Sequence, residues 1–312
     1  MSECIACATP MVPRFHEDVP NHWRCPECGL ECIWPQPDDR TLDGIYNELY
    51  FSHYNSGIDS QIVRAMKRAT YARQFRRLPP PASFGGQRRL LDCGAATGFL
   101  VELAKEFGWD AFAVEISEFG SQSCAQVLGH ERVYRGQPQE ASFAANPDGQ
   151  FEVITMFDFI EHVRNPKDVL SWARQQLSPG GVLLLTTPRV GGISWRLMGR
   201  LWFHYVREHL WFFNPQSIQA LLEESGFSNI EVHPLRKAVA VDYGLAHYAR
   251  STSHNRLLSP PARALHSVLP PQIKRQRIWF YLGEMAVLAR LGQQASSSTS
   301  SSSLQTADCR GR

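Results

Sequence analysis

Arg89-Leu90-Leu91-Asp92-Cys93-Gly94-Ala95-Ala96-Thr97-Gly98-Phe99-Leu100-Val101-Glu102-Leu103-Ala104 decides how the rest of the chain is read. Leu90-Leu91 is a short apolar run of the kind that forms a buried strand. Gly94 and Gly98 bracket small residues. Phe99, Leu100, Leu103 and Phe107 then recur at helical spacing. Strand, tight small-residue turn and helix together make the opening of a nucleotide-binding βα unit.

Two kinds of nucleotide compete for such a turn. A dinucleotide loop needs glycines at three positions so that backbone can approach a pyrophosphate. Here Gly94 fits, but Ala96 and Phe99 stand at the other two. Asp92, at the strand end, would also repel phosphate. S-adenosylmethionine (SAM) carries a sulfonium and an ammonium and no phosphate, so carboxylates beside it are favourable. The next apolar run, Ala111-Phe112-Ala113-Val114, ends in Glu115, where an acid can accept from both ribose hydroxyls.

With these residues in place the sequence resembles the class I SAM-dependent methyltransferases. Asp92, Gly94, Gly98 and Glu115 match that family's motif, and Ala96 departs from its middle glycine. Downstream, Phe151 to Val163 resembles the fourth strand with its Glu-His continuation. Leu177 to Pro188 resembles the fifth strand with its Pro-Gly-Gly turn. The resemblance covers roughly Arg88 to Arg290. It implies an α/β, Rossmann-like seven-stranded sheet over residues 87–291, with Ala96, Phe99, Phe157 and Asp158 also lining the SAM site. The family often has an acid facing the adenine amine where this chain has Gln137, whose carbonyl oxygen still accepts.

Ahead of this domain, Cys4-x-x-Cys7 and Cys25-x-x-Cys28 form two CxxC knuckles within residues 1–35. Paired thiolate knuckles of this spacing read as a tetrahedral, structural zinc ribbon, with Cys32 and His22 as non-ligands. Residues 36–86 read as a linker with lid helices. They include the aromatic stretch Tyr46 to Tyr54, where the resemblance implies a lid over the cofactor, and a helix from Ile62 to Leu78. That helix carries Arg64, Lys67, Arg68, Arg73, Arg76 and Arg77 on a basic face, and such faces are usually solvated.

The acceptor side is less sharply drawn. Asp158, Glu161 and His162 fall at i, i+3 and i+4, so a helical turn would place them on one face. His162 then serves as general base or orients the substrate. Alternatively the three hold a divalent ion such as magnesium, as in the ubiquinone-biosynthesis O-methyltransferases that this segment resembles. In the plainest reading Glu161 and His162 only cap and pack the turn. His209, beyond an aromatic-rich stretch, is a second base candidate. Residues 189–214 and 235–277 read as substrate-cover insertions, and the serine run at 292–312 as a disordered tail.

The 312 residues carry a net charge of +2, which gives no strong pull toward nucleic acid. No run approaches the ~20 apolar residues of a membrane span, and no secretory signal opens the chain. A cytoplasmic location follows as the expectation. The expected activity is methyl transfer from SAM to a small or carrier-linked acceptor, most simply an oxygen on a sugar, polysaccharide or natural product. The alternatives are an RNA methyltransferase and a catalytically idle zinc-ribbon adaptor.

Overall fold

The computed structural model describes residues 3–15, 21–44, 59–85, 87–245, 264, 267–274 and 276–291. The aromatic stretch Tyr46–Tyr54, most of residues 246–266 and the serine-rich tail lie outside the described residues.

Seven strands form the central sheet: β4 (Arg89–Cys93), β5 (Asp110–Glu115), β6 (Val133–Arg135), β7 (Phe151–Phe157), β8 (Leu177–Pro188), β10 (Phe227–Ala240) and β11 (Arg277–Leu291). Their order across the sheet is β10-β11-β8-β7-β4-β5-β6. Only β11 runs against its neighbours: it is antiparallel to both β10 and β8, and the other pairings are parallel. The parallel core needs cover on both faces, so its strands read as unbroken buried runs. All seven residues of β7 are buried, as are four of the five in β4.

The helices α2 (Asp59–Phe75), α3 (Phe99–Glu106), α4 (Glu118–Leu128), α5 (Pro166–Gln176) and α7 (Pro215–Glu224) flank the sheet. Their ends follow from side-chain caps. Ser117 accepts from the Gly120 amide to start α4, and Asn214 forms a capping box with Ser217 to start α7. Shorter helices are α1 (Asp39–Asp43), α6 (Ile193–Met198) and α8 (Pro271–Lys274).

Two local features differ from the sequence expectation. The Pro-Gly-Gly turn is a bulge in the β7–β8 pairing, which passes from Phe151↔Leu177 to Val153↔Val182. β10 runs on to Ala240, six residues into the stretch expected as an insertion, because β11 is long enough to pair with it throughout. The basic face is solvated as expected, with Arg64, Arg68, Arg73 and Arg76 exposed. Arg64 pairs with Glu102 and Arg68 with Glu106, tying α2 to α3. The same helix reaches the far sheet edge, where the Ala238 amide donates to Thr70 Oγ1 at 2.9 Å.

The N-terminal segment makes a second, four-stranded sheet. β1 (Val12–Pro13), β2 (His22–Arg24) and β3 (Glu31–Ile33) are joined at the edge by β9 (Trp211–Phe212), which comes from the other end of the chain.

Candidate active site

The loop after β4 holds three residues in the left-handed region: Gly94 (φ 77°), Ala96 (φ 48°) and Gly98 (φ 83°). Glycine adopts this region freely, whereas alanine pays roughly 1–2 kcal/mol for it. Ala96 therefore keeps the backbone path that a glycine would give, held by neighbours. Its amide donates to Glu115 Oε2 at 2.8 Å, and its carbonyl accepts from the Cys124 thiol at 3.4 Å. Gly94 cannot be replaced so easily, because a Cβ there would lie 2.6 Å from Phe159 Cδ2.

Asp92 and Glu115 stand at the ends of adjacent strands, as expected, and both are buried. Glu115 is doubly anchored, with Oε1 accepting from the Ser117 amide at 2.8 Å. Asp92 Oδ1 accepts from Thr155 Oγ1 at 2.7 Å, while Oδ2 has no hydrogen-bond partner among the described residues. Burial, with Glu115 adding repulsion, pushes the Asp92 carboxyl up to about 7. A buried acid with one bare oxygen, beside a second acid, is a site prepared for a cation. Phe99 begins α3, Phe157 is buried at the end of β7 against Tyr71, and Gln137 lies exposed just beyond β6.

Asp158 follows β7 in a left-handed conformation (φ 49°). Its carboxylate accepts from Thr186 Oγ1 at 2.9 Å and from Tyr71 OH at 3.2 Å. Burial works to raise its pKa, but Lys237 and these two hydrogen bonds outweigh it and hold the group below the usual carboxylate range. Tyr71 and Thr186 were not legible as site residues. Neither carries a motif, and both reach Asp158 only through the fold.

Residues 158–165 form turns and bends rather than a helix, and Asp158 stays outside the tight ligand cluster, although its charge acts on Glu161, His162 and His209. His209 takes its place. One ligand atom each from Glu161, His162 and His209 lies within 4.8 Å of the others, and the two imidazole rings meet edge to face with centroids 4.7 Å apart. Both Glu161 carboxylate oxygens are buried without a hydrogen bond among the described residues, and burial pushes this acid well above its ordinary value. Burial, with His209 nearby, lowers His162 to about 3. His209 is lowered too, chiefly by burial. Its Nδ1 lies 2.8 Å from the His204 carbonyl, so Nδ1 carries the proton and Nε2 is left as the acceptor. Behind this trio, Lys237 donates to Glu284 at 2.6 Å, and burial raises Glu284 to about 7.

The second cluster is the set of four N-terminal cysteines. Sγ atoms of Cys4 and Cys28, and of Cys7 and Cys25, are 3.5 Å apart, and all four lie within 4.8 Å of one another. Tetrahedral zinc with Zn–S near 2.3 Å needs sulfurs about 3.8 Å apart, so the set fits. Cys4 and Cys28 share a hydrogen bond that lowers Cys4 and raises Cys28, so without metal the pair holds a proton between its sulfurs. Cys32 turns instead to Met11, and His22 to Glu31.

Seven strands in this order, with carboxylates at two adjacent strand ends beside a small-residue loop, define a SAM-dependent methyltransferase. Residues 62–232, more than half of the chain, match the family described as a methyltransferase domain, and the chain belongs to that family. Similar curated proteins include the ubiquinone biosynthesis O-methyltransferases of Bordetella avium (29% identical, 47% of this chain and 67% of that one) and Methylococcus capsulatus (30%, 32% and 43%). That of Roseobacter denitrificans is 29% identical over 50% of this chain and 66% of its own length. The chain thus spans between 43% and 67% of the length of these relatives. Among solved structures, SAM-dependent methyltransferases from Archaeoglobus fulgidus (18% identical, 78% of this chain and 99% of that one) and Thermotoga maritima (14%, 81% and 99%) each align with a TM-score of 0.50. At these identities the likeness is one of fold. No helix among the described residues is long and apolar enough to cross a membrane.

Proposed function

We propose that this methyltransferase transfers the SAM methyl group to an oxygen of a small or carrier-linked acceptor, and that Glu161, His162 and His209 form the acceptor half of the site. SAM would rest on Asp92, the 94–98 loop, Phe99, Glu115, Gln137, Phe157 and Asp158. Its donor carbon is already activated, so the protein's tasks are alignment and removal of one proton. The observation that carries the reading is the tautomer of His209. With Nδ1 committed to the His204 carbonyl, Nε2 is free to take the acceptor proton. The kinship with ubiquinone biosynthesis O-methyltransferases supports oxygen as the methylated atom. The net charge of only +2 speaks against an RNA substrate.

A second reading has its own support in the bare Glu161 carboxylate beside two imidazoles. Glu161, His162 and His209 would hold a divalent ion, which would act as a Lewis acid on the acceptor hydroxyl. Two nitrogens and one oxygen suit zinc, manganese or iron better than magnesium, which prefers oxygen alone. The ribbon cysteines would bind a separate, structural zinc. The cytoplasmic expectation stands with these proposals.

The test begins with calorimetric titration of the zinc-loaded protein with S-adenosylhomocysteine. Absence of binding removes the methyl-donor reading. Radiolabelled SAM is then offered with catechol-type and sugar hydroxyl acceptors, and separately with RNA. Turnover with a hydroxyl acceptor should fall about a hundredfold in His209→Ala, while S-adenosylhomocysteine affinity stays within about twofold. Labelling of RNA alone, weakening steeply with salt, would replace the reading.

A further inference from the structure

The ribbon sheet is continuous with the acceptor half of the site. β3 pairs with β9 through Glu31↔Phe212 and Cys32↔Trp211, and the Ile33 amide donates to the Leu210 carbonyl at 3.0 Å. On the opposite flank the Leu210 and Trp211 amides donate to the Glu161 carbonyl at 2.8 and 3.2 Å. Asn214, the cap of α7, donates its side-chain amide to the Cys28 carbonyl at 2.7 Å. Residues 210–214, directly after His209, are therefore gripped between a cysteine knuckle and the Glu161 turn.

Side chains make a second link. Glu31 is fully buried at the centre of the interface. Its Oε1 accepts from Arg14 Nε at 3.0 Å and from Arg24 Nη1 at 3.4 Å, and its Oε2 accepts from Tyr205 OH at 2.6 Å. The Tyr205 hydroxyl accepts in turn from the Trp195 indole at 2.6 Å. Burying an ionised carboxylate is costly unless it is paired, and pairing of this kind fixes its partners in space. Tyr205 belongs to the turn that presents His209. Its amide donates to Trp202 at 2.9 Å, the His209 amide donates to Val206 at 3.2 Å, and the His209 ring bonds to His204. The outer anchor of that turn is the Tyr205–Glu31 hydrogen bond. The hydrogen bonds of Asp92 and Glu115 run elsewhere, to Thr155, Ala96 and Ser117.

We propose that Glu31 is a positioning residue: through Tyr205 it fixes the turn that presents His209, so that the metal-loaded ribbon sets the acceptor half of the site and leaves the SAM half independent. This rests on the assignment of His209 to the acceptor half. The test uses full-length, zinc-loaded protein and the variants Tyr205→Phe and Glu31→Gln. Zinc content is read by colorimetric release and S-adenosylhomocysteine affinity by calorimetry. Histidine ring NMR signals and amide exchange at Leu210 and Trp211 report the turn. Tyr205→Phe should keep one zinc per chain at the ribbon and a dissociation constant within about twofold, yet lose about tenfold in protection at Leu210 and Trp211 and shift the His209 ring signals. Glu31→Gln should do the same, and if it loses zinc, Tyr205→Phe alone decides. Unchanged His209 signals and protection with zinc retained would overturn the proposal. So would S-adenosylhomocysteine affinity falling in step with protection, because the two halves would then be one unit. Failure of the wild-type protein to bind S-adenosylhomocysteine would sink the methyl-donor reading, while the ring signals and exchange would still decide the role of Glu31.

Discussion

Asp92 should make the ligand-free protein less stable as pH rises, and Asp92→Asn should remove that dependence. The folded carboxyl titrates at about 7 against 3.8 for the ordinary group, because it is fully buried and faces Glu115. Between these values the native state binds one proton more than the unfolded chain, so stability falls as pH rises and levels off above the folded pKa. At about 1.4 kcal/mol per pH unit, the two units from pH 5 to 7 withdraw about 3 kcal/mol, and the full shift costs about 4 kcal/mol at pH 8. Asparagine keeps the Thr155 bond but places an amide where Oδ2 stands bare, at a cost of about 1–3 kcal/mol. The variant should therefore match the wild type near pH 5 and exceed it by about 1–3 kcal/mol at pH 8. SAM reverses the ranking. A cation beside the ionised acid at an effective dielectric near 20 gains about 3–4 kcal/mol, so the variant should bind SAM several hundredfold more weakly at pH 8. Urea unfolding at pH 5 and 8 and SAM calorimetry at pH 8 read both effects. Equal pH slopes in the two proteins, or equal SAM affinity, would refute the reasoning.

Gly94→Ala should weaken S-adenosylhomocysteine binding at least about tenfold, because the new Cβ meets Phe159 as well as the positive φ. Gly85→Ala is the control: it shares a positive φ but has nothing within 4 Å, and it should leave affinity unchanged in the same titration. Cys25→Ser should lower the zinc released per chain by one, as measured colorimetrically. Tyr71→Phe deletes a hydrogen bond to the Asp158 carboxylate and should cost about tenfold in S-adenosylhomocysteine affinity by calorimetry, with zinc content unchanged.

The two strand-end acids and the loop beside them were legible because they are local in sequence. Asp92, Gly94 and Gly98 lie in one turn, and Glu115 ends the following strand, so strand, loop and helix signals agree. The ribbon was legible for the same reason, through the spacing of its cysteines. The acceptor half was not, because its members meet only in the fold. Helical spacing grouped Asp158 with Glu161 and His162. The left-handed backbone at Asp158 breaks that periodicity, and His209 enters from a turn beyond β8. Tyr71, Thr186 and Lys237 converge on Asp158 from a helix and two strands with no pattern to announce them. The docking of β3 on β9 was equally hidden, since three- and two-residue strands give too short a run for alternation to register.

That docking also sets an order of events during synthesis. Glu31 and Phe212 are partners across about 180 residues of chain, which a ribosome adding about 5–20 residues per second takes roughly 10–40 seconds to make. The cysteine knuckles emerge first, but through that interval the outer edge of β3 has no strand beside it. A nascent chain stalled before residue 211 would carry a finished ribbon with an open, adhesive margin.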